Sequence, residues 1–130
     1  MPILLLLLAL ALPAQAEDQA ITPETFERLV TGHTLSYRRA GGEYGAEEYL
    51  ENRRVRWSFL DGQCAEGFWY VEGPQICFIY DTIPDPQCWQ FYLRGGRLLA
   101  RYENNPQGTE LIETRRRDGP LYCVGPEVGV

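Results

Sequence analysis

The residues with the most chemical capacity in this chain are a run of carboxylates and arginines, four cysteines and a single histidine. In "GGEYGAEEYLENRRVRW", Tyr44 precedes Glu47, Glu48 and Glu51, and Arg53, Arg54 and Arg56 follow. Two carboxylates can share general acid–base work when they face each other across a cleft with separated acidities. A hydrolase would draw on Glu47, Glu48 or Asp61, but Glu47 and Glu48 are adjacent and point to opposite sides of an extended chain. The stretch reads instead as a charged loop pairing with its own arginines. Arg54 and Arg56 share a face and can grip a carboxylate or phosphate with paired N–H donors, although a salt-bridged strand face is the better account of them. His33 follows Gly32 with no serine, cysteine or carboxylate motif beside it, a poor setting for a general base. Arg115-Arg116-Arg117 reads as a solvated strand end. All twelve basic residues are arginine, which removes lysine as a nucleophile.

The cysteines allow three kinds of chemistry. A zinc site wants ligand pairs at Cys-x2-Cys or His-x3-His spacing, and a thioredoxin-type site wants Cys-x-x-Cys. Neither spacing occurs, so no metal or other cofactor is expected. In "ICFIYDTIPDPQCW", a turn symmetric about Thr82 and Ile83 places Cys77 opposite Cys88, Ile76 opposite Trp89 and Ile79 opposite Pro86. Pro86 has no N–H for the ladder, which puts both its pair and the cysteine pair in the non-hydrogen-bonded class. There Cα atoms approach to about 4.5 Å, within disulfide reach. Four cysteines permit three pairings, and the favoured one joins Cys77 to Cys88 and Cys64 to Cys123.

The same pairing puts Ile76, Phe78, Tyr80, Trp89 and Phe91 on one buried face. Trp69 and Tyr70 point to opposite faces of their strand, so one of them is expected at a barrel mouth or outer surface, where it can stack on a sugar ring or peptide. Together with Tyr44, Arg54 and Arg56 they are the candidate ligand-binding residues. No catalytic residue is assigned.

The elements that must position these residues are mostly strands. Thr22 can cap a helix, Pro23 suits its first position, and Phe26, Leu29 and Val30 repeat at helical spacing before Gly32, which predicts one helix over about 22–31. From Thr34 onward, short aromatic and β-branched runs alternate with turns such as Asp61-Gly62, Gly73-Pro74 and Gly95-Gly96. The runs are "TLSYRR", "RRVRWSFL", "GFWYVE", "QICFIY", "CWQFYL", "RLLARYE" and "TELIETRR". Connections this short force antiparallel neighbours. The expected fold is therefore mainly all-β: an antiparallel meander of six to eight strands forming a small barrel or sandwich, with one short N-terminal helix.

The first residues carry an apolar run from Ile3 to Leu12 and then Ala14-Gln15-Ala16, the pattern of a signal peptide cleaved after residue 16. That leaves a single β-rich domain over 17–125 and a flexible tail over 126–130. No second apolar stretch has the length of a membrane span. The formal charge of −6 disfavours a nucleic-acid partner.

The stretches "TGHTLSY", "YGAEEYL…RRVRW", "DGQCAEGFWY" and "ICFIY…PQCW" resemble small exported proteobacterial proteins, domains of unknown function with paired cysteines. The resemblance covers most of residues 26–93 and implies a periplasmic β-rich domain, with no catalytic residue to carry over. A looser likeness, of architecture and charge alone, is to periplasmic lysozyme inhibitors. These readings lead to a periplasmic or secreted, monomeric binding or structural module, with an envelope protein or glycan as partner. An envelope-directed hydrolase or a lysozyme-type inhibitor is the alternative.

Overall fold

The computed structural model describes residues 1, 10–12 and 17–124. Most of the expected signal segment and the whole of the expected tail, 126–130, lie outside the described residues. A two-residue strand β1 (Gln19–Ala20) leads into helix α1 (Pro23–Val30). Eight further strands follow: β2 (His33–Arg39), β3 (Gly42–Tyr49), β4 (Arg54–Ser58), β5 (Cys64–Glu72), β6 (Gln75–Tyr80), β7 (Ile83–Arg94), β8 (Arg97–Tyr102) and β9 (Glu110–Asp118). Each pairs antiparallel with the next, and β9 returns to pair with β2, so the meander closes on itself as an eight-stranded up-and-down barrel. Closure leaves no free edge among those eight strands, and β1 extends the ladder along the far half of β7.

The helix forms as its residues dictate. The Thr22 hydroxyl accepts from the Thr25 N–H, Pro23 stands at the first position, and Phe26 and Val30 are fully buried. Phe26 enters one end of the barrel, its ring 4.4 Å from that of Phe91, 5.3 Å from Trp69 and 5.7 Å from Tyr49. Arg53 ties the helix to the barrel through Glu27 at 3.1 Å, and Arg116 does so by donating to the Leu29 carbonyl at 2.7 Å. The helix is therefore the floor of the barrel. Arg116, expected as part of a solvated strand end, is one of its anchors.

Two expectations need correction. Residues 42–49 form a strand, not a charged loop, because both β2 and β4 need a ladder partner there. The β6–β7 turn also differs. The predicted register holds at Cys77/Cys88 and Ile76/Trp89, but Tyr80 pairs with Ile83 across a turn at Asp81-Thr82. Between the two, Pro84, Asp85 and Pro86 stand opposite Ile79 alone, so Pro86 sits in a bulge and not in the ladder.

Both disulfides pair as the sequence favours, Cys77–Cys88 with Cα atoms 3.9 Å apart and Cys64–Cys123 with Cα atoms 5.6 Å apart. The second fastens the chain after β9 across the outer face of β2, β3 and β4, where the Leu121 N–H donates to Glu48 and the Val124 N–H to the Gly62 carbonyl.

Candidate functional site

The barrel interior is built by alternation, interrupted at bulges. On β3, Gly45, Glu47 and Tyr49 face inward while Glu48 faces out, its carboxylate taken by Arg56 at 3.2 Å. Glu47 is only 1% exposed, and its Oε1 accepts from the Tyr80 hydroxyl at 2.7 Å. Its second oxygen, Oε2, is buried with no hydrogen-bond partner among the described residues. Burial holds the Glu47 carboxyl well above the usual carboxylate range, against the opposing pull of the Tyr80 hydrogen bond. Tyr37 and Tyr49, joined hydroxyl to hydroxyl at 2.8 Å, line the same space, and burial pushes both phenols up, as it does Tyr80.

Around this polar group lies a cavity of about 70 Å³, walled by Tyr44, Trp57, Phe59, Phe78, Tyr80 and Trp89 among others. Two glycines make room for the walls. A Cβ at Gly45 would collide with the Trp57 ring, and one at Gly67 with the Ile79 carbonyl, so the indole and the Tyr80 ring lie against bare backbone. A bulge places Tyr44 and Gly45 on β3 where β2 offers no extra residue, and Tyr44 thereby turns its ring toward Trp57 and Phe59, 5.6 Å from each. Phe78 and Tyr80 stack on the opposite wall, 6.2 Å apart and nearly parallel. Tyr44, Ile83, Gln87 and Trp89 are half-buried and Phe59 is exposed, so this end of the barrel meets solvent while α1 closes the other. The bulge at Pro84–Pro86 shapes the same rim.

The sequence-derived candidates scatter. Trp69 is buried in the floor between Phe26 and the Arg53 guanidinium, which sits 4.4 Å from its ring. Tyr70 is half-buried on the outer face opposite Cys77. Arg54 is exposed on the outside, and Arg56 is held there by Glu48 and Glu66. Tyr44 alone lines the cavity. Among the proposed catalytic carboxylates, Glu47 lies inside the barrel, Glu48 on its outer face, and Asp61 in an exposed turn accepting from the Gln63 N–H. No cleft brings them together. His33 pairs with Asp118 at 2.7 Å on the β2–β9 seam, away from the cavity lining.

Sequence reasoning overlooked Glu47 as a cavity residue, with Trp57 and Trp89 as its walls. Its signal was the alternation Gly45, Glu47, Tyr49 between two strand-like runs. Comparison of the chain with protein-family models, curated proteins and solved structures finds no match.

Proposed function

We propose that the protein is an exported binding module whose barrel admits a small ligand between Tyr44, Phe59, Ile83 and Gln87. The observation that carries this is the aromatic cavity with one unpartnered buried polar atom, Glu47 Oε2, set into its wall. Native interiors satisfy nearly all such atoms internally, and a binding site characteristically leaves one for its guest amid apolar walls. An eight-stranded barrel is just wide enough to be filled by side chains or to hold one small molecule. Here the floor is filled by Phe26 and the other end is not.

Export is supported by the apolar run from Ile3 to Leu12, the Ala14-Gln15-Ala16 site and the two disulfides, and the likeness to small exported proteobacterial proteins points the same way. No helix among the described residues is long and apolar enough to cross a membrane. One observation favours an envelope protein as an additional partner: Phe59, Leu60, Tyr122 and Val124 are exposed apolar residues close to one another around Gly62.

Trp57 and Trp89 are built-in reporters. Titrating the protein with the small-molecule fraction of an envelope extract should change tryptophan emission and raise the melting temperature, and Tyr44→Ala and Trp89→Ala should lose both responses while keeping the far-ultraviolet spectrum. A melting temperature that shifts equally in the wild type and both variants, or in none, would remove the cavity as the binding site.

A further inference from the structure

Resting on the reading of the cavity as a binding site, the ligand class can be narrowed. We propose that the site takes a protonated organic amine, with its N–H group donating to Glu47 Oε2 and its adjacent carbon atoms lying against the rings of Tyr44, Trp57 and Trp89. Three features select this chemistry. The carboxyl is 1% exposed and lines the cavity, and the oxygen left over from the Tyr80 hydrogen bond needs a donor once the group is ionised. Nine of the fourteen lining residues are aromatic, and aromatic faces attract cations when water is excluded. Among the described residues no arginine lines the cavity, so no side-chain cation there would compensate an anion or compete for Glu47.

The remaining ionisable groups facing Glu47 are phenols: Tyr80 on β6, Tyr37 on β2, and Tyr49 and Tyr44 on β3. Beyond Tyr37, Glu113 and Arg116 neutralise each other at 3.0 Å. Glu47 is therefore the carboxyl in the cavity whose charge can change, and burial keeps it neutral in the empty barrel until the pH passes its raised pKa. Binding must expel its proton to solvent, which leaves a carboxylate against an ammonium. Affinity should then rise about tenfold per pH unit below the Glu47 pKa and level off above it, with up to one proton released per amine bound.

The test is calorimetric titration of the full mature chain with benzylammonium, benzyl alcohol and benzoate from pH 5 to 8, in buffers of different ionisation heat. The expected result is benzylammonium binding at least tenfold tighter than either analogue, with proton release, and loss of that preference in Glu47→Gln. The wild-type pH profile keeps the test decisive if that variant folds poorly. Benzyl alcohol binding as tightly as the ammonium, or affinity independent of pH, would overturn the amine and leave the cavity reading standing. Failure of all three probes to bind would overturn both.

Discussion

Glu47 makes the stability of the barrel depend on pH in an unusual direction. Its folded-state pKa lies above the unfolded value near 4.5 because burial disfavours the charged form. Below that value both states hold the proton and nothing is lost; as pH rises through it, the unfolded chain ionises and the folded one resists, so stability falls with rising pH until the folded pKa is reached. Glu47→Gln should abolish this slope and make the protein more stable than the wild type at pH 8, measured by urea denaturation across pH. A variant that keeps the wild-type slope would assign it to another group. Gly67 carries a different constraint, since any side chain there meets the Ile79 carbonyl within the β5–β6 ladder. Gly67→Ala should cost about 2 kcal/mol or more in the same measurement, whereas a glycine in an open turn, such as Gly73, has nothing near its missing Cβ.

Among the elements, α1 contributes out of proportion to its eight residues. Phe26 is fully buried against three rings, and Phe26→Ala should cost about 3–5 kcal/mol in chemical denaturation; Thr22→Ala, which removes the cap, should cost about 1 kcal/mol. This helix was fully legible in the sequence because its cap, proline and apolar spacing all lie within ten residues. The strands from β4 to β9 were legible for a similar reason, each being a run of β-forming residues bounded by turns. β3 was not. Its residues, Gly-Glu-Tyr-Gly-Ala-Glu-Glu-Tyr, have low strand propensity and form a strand because β2 and β4 supply partners on both sides. A closed up-and-down antiparallel barrel needs an even number of strands, and β3 is the eighth beside the seven recognisable runs. The hairpin register was recovered at the cysteines, yet Pro86 owes its position to a bulge. A two-residue excess on one strand depends on how the rim packs, which no local pattern encodes.

At the scale of the whole molecule, the two disulfides divide the work by loop length. Cys77–Cys88 closes a loop spanning 11 residues and Cys64–Cys123 one spanning 59, which in the loop-entropy account contribute about 3 and about 4 kcal/mol respectively. Replacing Cys64 and Cys123 by serine should lower the melting temperature more than replacing Cys77 and Cys88. It should also leave the outer face of β2–β4 open to hydrogen exchange, because Leu121 and Val124 are held there by the bridge. The cavity was not legible at this scale. Its walls come from β2, β3, β4, β6, β7, β8 and β9, and only closure brings Tyr37, Trp57, Tyr80 and Trp89 around one point.

The seam that completes the barrel joins His33 to Asp118, 85 positions apart. Until β9 is available, β2 has an unpaired edge and the cavity lacks its Leu111 side. A chain emerging N-terminus first thus cannot close the barrel until β9 arrives. Its long-range pairing makes the closing step slow, on the order of milliseconds to seconds. The interval before closure, with a bare strand edge exposed, is when this protein is most vulnerable to joining another copy of itself.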